Sequence, residues 1–96
     1  MKNIILVVKL TIKEQFLDEI KSEILKLHKL TKQNDKGCIQ YDLHEIKDDK
    51  NSLMLIETWE NEASLEEHKQ KEHFINFIKL AEDKMQINMD FLEKIA

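Results

Sequence analysis

Arginine and proline are absent from this chain, and glycine and cysteine occur once each, as Gly37 and Cys38. Without arginine there is no guanidinium fork to capture a phosphate or carboxylate through two bonds. One glycine cannot build the phosphate-cradling loops of nucleotide-binding folds, which need several. One cysteine excludes an intrachain disulfide, a CxxC redox pair and a cysteine zinc cluster, and it fits a reducing cytoplasm. The 15 basic residues, all lysine, are interleaved with 19 acidic ones and form no patch, so the net charge of −4 excludes a nucleic-acid surface. No apolar run approaches the length of a membrane span. The first residues lead straight into a strand-like segment rather than a signal peptide.

The chain of 96 residues reads as one domain, 1–96, without repeat, linker or low-complexity segment. A lone domain of this size buries only about 60–65% of its unfolded surface, so oligomerisation is the expected source of further burial. Ile4 to Leu10 is an apolar first strand. Thr11-Ile12-Lys13-Glu14 has the form of a capping box, with Thr11 as N-cap of a helix. Ile12, Phe16, Ile20, Ile24, Leu27 and Thr31 then recur at helical spacing. That helix ends near Gln33-Asn34, with Gly37 supplying the turn. Ile39, Tyr41 and Leu43 alternate with Gln40, Asp42 and His44 as a second strand. Lys47 to Asn51 is a polar hairpin turn, and Leu53 to Trp59 a third strand. Asn61 can cap a short helix, a second helical stretch runs from about His73 to Lys84, and Ile87, Met89 and Phe91 mark a last strand.

The order β-α-β-β-α-β predicts a ferredoxin-like α+β fold, with one four-stranded antiparallel sheet and both helical elements on one face. The first and third strands are apolar on both sides. Helices cover only one face, so the other is expected to meet a second copy in a homodimer with facing sheets.

Chemistry concentrates in ETWENEASLEEHKQKEHF. Glu57 shares a strand row with Leu53, Leu55 and Trp59, and a carboxylate in an apolar row must pair, hydrogen-bond or take up a proton. His68 is suited to general-base work near neutral pH, or simply to packing on the sheet. His73 can serve function or position a helix start. His28 borders the apolar stripe of the first helix, again with a structural alternative. Trp59, Tyr41 and Phe74 could wall a flat aromatic substrate or fill the core. A metal site is not expected. His68 and His73 are five apart and, at 100° per residue, would diverge on one helix. A third ligand such as His44 would have to come from elsewhere, and no HExxH is present.

From Gly37-Cys38-Ile39-Gln40-Tyr41-Asp42-Leu43-His44 through Glu57-x-Trp59, Leu65-x-x-His68 and His73-Phe74, the chain resembles the antibiotic biosynthesis monooxygenase (ABM) family. The resemblance implies a dimeric ferredoxin-like α/β barrel. It also implies oxygenation of a quinol, phenol or small polycyclic aromatic by molecular oxygen, without metal, flavin or other cofactor. Catalysis would fall to His68, Glu57, His73 and His28, and substrate binding to Trp59, Tyr41 and Phe74. A haem-degrading branch of similar proteins carries a tryptophan where His68 stands, a haem-ligating histidine at or near Ile78 and an asparagine near Val7. All three positions depart from that pattern. An isomerase branch acting on a phosphorylated carbonyl compound is similar at His28, Glu57 and His68, but this chain has only lysines for a phosphate and carries Trp59 where that branch tends to have tyrosine. The readings left open are a monooxygenase, such an isomerase, or a small-molecule binding protein without catalysis. In the site expected here, Trp59, His68, His73, Phe74 and His28 line one cavity between sheet and helices.

Overall fold

The structure, a computed structural model, describes residues 3–96. Strand β1 (Ile4–Ile12) is followed by a single 3-10 turn and helix α1 (Leu17–Asn34). Strands β2 (Cys38–Ile46) and β3 (Asp49–Trp59) form a hairpin, helices α2 (Glu62–Gln70) and α3 (Glu72–Ala81) follow, and β4 (Met85–Leu92) ends the fold. The sheet is antiparallel, in the order β2-β3-β1-β4, and is open rather than closed. The expected ferredoxin-like architecture is present, with the second helical element in two pieces.

One sheet face holds the core. Leu6, Val8, Leu10 and Ile12 of β1 and Leu53, Leu55, Glu57 and Trp59 of β3 are buried under Ile20, Ile24, Leu27 and Thr31 of α1 and Phe77 of α3. The alternation of two in the strands and of three to four in α1 puts these residues on facing surfaces. Ile5, Val7, Met54 and Ile56 occupy the other face and are only half-buried in the single chain.

Three local expectations are corrected. The capping box at Thr11 does not form. Thr11 stays in β1, opposite Ser52 on one side and Gln86 on the other, and α1 begins later with no side-chain cap. A central strand bonded on both sides outweighs one cap, worth about 1 kcal/mol. Gly37 lies in the expected turn after α1, where Cys38 N–H donates to the Asp35 carbonyl at 3.1 Å; it has no positive φ, and glycine is required by a close approach, since a Cβ there would meet Ser64 Oγ at 2.0 Å. In the hairpin the left-handed residue is Asp48, at φ 66°, and Ile46 pairs with Asp49, so the turn is tighter than Lys47 to Asn51. Ile39 is the extra residue of a bulge between Cys38 and Gln40 and points outward, 52% exposed. The Asn61 cap does form, its Oδ1 accepting from Ser64 N–H at 2.9 Å.

Candidate active site

The bulge aligns the strands for the site. It sets Cys38 opposite Trp59 and Tyr41 opposite Glu57, all on the helix-covered face. Trp59 Nε1–H donates to Glu57 Oε1 at 2.9 Å, two residues along one strand row. Burial pushes the Glu57 carboxyl up to about 7, against the pull of that indole bond and of Lys69. Burial likewise raises the Tyr41 phenol well above its usual range, so it stays protonated.

After Trp59 the chain turns directly into α2, which lays His68 over this row. The His68 ring lies 4.6 Å from Trp59, 5.6 Å from Tyr41 and 4.9 Å from Phe74, centroid to centroid, the last two edge-on. Burial lowers its proton affinity, with Asp35 opposing.

Behind His68 sits a residue that the sequence did not single out. Asp35, the C-cap of α1, is buried, and its two oxygens face two histidines. Oδ2 bonds His68 Nδ1, and Oδ1 bonds His73 Nε2 at 2.9 Å. The divergence expected of His68 and His73 does not occur, because Lys71 is extended, at φ −71° and ψ 143°. It divides α2 from α3 and re-aims the second helix so that both rings meet one carboxylate. Asp35 is 33 and 38 residues from its partners, which no local pattern reveals. The available signal was a rule broken: an acid at a helix C-terminus opposes the helix dipole and needs compensation from elsewhere.

Between sheet and helices lies a cavity of about 80 Å³. Its walls are aliphatic and aromatic, among them Leu6, Leu27, Leu55, Phe74 and Phe77, and it reaches Ile87 and Met89 of β4. The polar side chains on it are Tyr41, Glu57, His68 and Lys69.

Of the residues expected to share this cavity, His68 and Phe74 line it, together with Glu57 and Tyr41. Trp59 is fully buried behind it, bonded to Glu57, and His73 stands behind Asp35. His28 rests on Tyr41 at 5.9 Å but opens onto a separate groove with Leu25, Asp42, Leu43 and His44. His44 lies in the row of Asp42 and Gln40, on the face away from the helices, with Nδ1 against the Met54 carbonyl at 3.3 Å. Burial pushes the Cys38 thiol up to about 11, so it is a packed rather than a reactive group.

Asp35, His68 and His73 are also the described residues that could hold a metal ion, their donor atoms lying within 4.8 Å of one another. One nitrogen of each histidine already faces one oxygen of the same carboxylate, which occupies both Asp35 oxygens without an ion.

The chain is thus a small α+β protein with a four-stranded ferredoxin-like sheet and with an acid and an imidazole on one apolar cavity. The model of the family described as "Antibiotic biosynthesis monooxygenase" matches residues 3–80. The chain belongs to that family. It is 30% identical over 78 residues to "Putative monooxygenase YcnE" of Bacillus subtilis, covering 81% of this chain and 77% of that one. The chain spans from 34% to 77% of the length of the curated relatives it matches. The crystal structure of PA3566 from Pseudomonas aeruginosa superposes with a TM-score of 0.91 at 29% identity, over 100% of this chain and 97% of that one. That of a putative antibiotic biosynthesis monooxygenase from Caulobacter crescentus CB15 gives 0.89 at 20%, over 98% and 91%, a likeness of fold.

Proposed function

We propose that this protein is a cofactor-independent monooxygenase of a small phenol or quinol. The observation that carries the reading is the pairing of Glu57 and His68 on a cavity that is otherwise almost wholly apolar. An imidazole whose proton affinity burial lowers and a carboxyl that burial raises to about 7 put two groups able to accept and return protons on one cavity. Family membership supports oxygen as the oxidant.

The reaction starts when His68 removes the phenolic proton. The phenolate passes one electron to molecular oxygen, giving a phenoxyl radical and superoxide. Their collapse forms a C–O bond at a ring carbon bearing hydrogen and yields a hydroperoxide. Loss of that C–H proton, with cleavage of O–O, releases water and leaves a quinone carbonyl. One oxygen atom enters the product, the other leaves as water, and the substrate supplies all four electrons. Glu57 serves the second proton movement. Tyr41 and Phe74 flank the ring, and Trp59 holds Glu57 in place. The apolar walls exclude water from the charged intermediates. A cavity of about 80 Å³ favours one-ring substrates over polycyclic ones.

The isomerase alternative relies on His28 and His68 acting on one substrate, and the position of His28 on a separate groove weighs against it. A homodimer belongs to the same proposal. Ile5, Val7, Met54 and Ile56 form an apolar strip on the sheet face away from the helices, suited to a second copy and to closing a two-chain barrel.

Metal-free protein should accelerate oxygen uptake with a panel of one-ring quinols and phenols and release the quinone. No acceleration across the panel, with ligands still raising the melting temperature, would leave a binding protein instead.

A further inference from the structure

Of the Asp35–His68–His73 cluster only His68 lines the cavity, yet the cluster governs what that ring can do. We infer that Asp35 and His73 are positioning residues that fix His68 as its Nδ1–H tautomer and so leave Nε2 free to accept the substrate's proton. This deepens the monooxygenase reading and rests on it for the identity of that proton.

Asp35 Oδ2 faces His68 Nδ1, and both side chains are only 2% exposed. A carboxylate can only accept, so the nitrogen opposite it must carry hydrogen. The other edge of the ring, with Nε2, is then the lone-pair side, and His68 lines the cavity. When Nε2 takes a proton the ring becomes a buried cation. Asp35, already in contact, offsets that charge without itself being protonated, the role a carboxylate plays behind a histidine base in hydrolytic triads. A base oriented by a third group is the general signature of an activated proton acceptor.

His73 completes the device from the other side. Its Nε2–H donates to Oδ1 at 2.9 Å, and its side chain, 11% exposed, is the member of the cluster nearest solvent. It denies Asp35 the freedom to rotate and satisfies the oxygen that His68 leaves. The cluster joins the end of α1, the last turns of α2 and the first turn of α3. The break at Lys71 is what lets His73 reach Asp35.

The test uses the full chain labelled with ¹⁵N-histidine, in which long-range ¹H–¹⁵N correlations tell the two tautomers apart, and His68→Gln assigns the signal. Wild-type His68 should be Nδ1–H at neutral pH, a result that needs no variant to fold and no substrate. Asp35→Asn presents an amide that can donate to Nδ1. It should drive His68 to Nε2–H and lower kcat by on the order of 10²–10⁴ with KM within a few-fold. Asp35→Glu, which keeps an acceptor, should recover Nδ1–H and part of kcat. His73→Gln keeps a donor and should fall less than His73→Leu. An Nε2–H wild-type ring, or an Asp35→Asn variant with unchanged tautomer and rate, overturns the inference. So does stoichiometric zinc binding lost in Asp35, His68 and His73 variants alike, since the ion would occupy Nδ1. If no phenol is turned over but the tautomer follows Asp35, the monooxygenase reading fails and the positioning device stands.

Discussion

Tyr41 separates two histidines that share it as a neighbour and otherwise have little in common. His68 lies 5.6 Å from its ring, buried, bonded to Asp35 and facing an apolar cavity. His28 lies 5.9 Å from the same ring, half-buried, on an open groove. Residue type and aromatic contact are the same on both sides. At His68, burial and the bonded Asp35 carboxylate act together on the ring, and burial lowers its proton affinity. What makes a histidine chemically useful here is the low-dielectric cavity in front of it and the fixed acceptor behind it.

Substitution at both positions gives the sharpest break in that comparison. His68→Ala should lower oxygenation by on the order of 10²–10⁴, as for loss of a general base. His28→Ala should stay within about threefold, since it leaves the cavity walls intact. Equal losses would place both rings in the catalytic site and revive the isomerase geometry.

Gly37 offers a second break, directed at the buried side alone. Gly37→Ala drives a methyl into Ser64 at the start of α2, and overpacking of this kind costs about 1–3 kcal/mol. Adding Ser64→Gly should restore most of the loss in chemical denaturation. Failure of that rescue would mean that Gly37 serves the backbone and not the approach of α2.

Titration of Glu57 sharpens the contrast further. Its folded value of about 7 lies above the usual 4.5, so the folded chain holds a proton that the unfolded chain has released. Stability should therefore fall as pH rises from 4.5 to about 7, by up to about 1.4 kcal/mol per pH unit, and level off above. Glu57→Gln should remove that slope. His68 acts with the opposite sign, because its lowered affinity costs stability as pH falls below the usual 6.5. The Glu57 term is thus read as the difference between wild type and Glu57→Gln.

The smallest effect concerns the exposed side. His28→Gln should change stability by less than about 0.5 kcal/mol, as for surface substitutions away from a buried network, measured by urea unfolding at neutral pH.

The architecture was legible because it depends on local periodicity. Alternation in β1 and β3, three-and-four spacing in α1 and the Asn61 cap each declare an element within a few residues. The row Leu53-Leu55-Glu57-Trp59 placed a carboxylate among apolar groups before any contact was known. The exceptions were local rules overruled from outside. Thr11 had a cap signature but sits in a strand bonded on both sides, and Gly37, though in its expected turn, is required there by Ser64 of another element. Asp35 was invisible for the same reason, since its partners come from two later helices.

By itself, then, the sequence determined the element order, the buried face and the presence of ionisable groups beside the only tryptophan, because pattern and burial preference act over short stretches. Only the tertiary structure decided which of those groups cooperate. The break at Lys71 turns His73 toward Asp35, and Asp35 in turn orients His68 toward the cavity while His28 is left on the far side of Tyr41. Hydrogen bonding and desolvation depend on distances of a few ångströms between residues far apart in the chain, and those are set by packing alone.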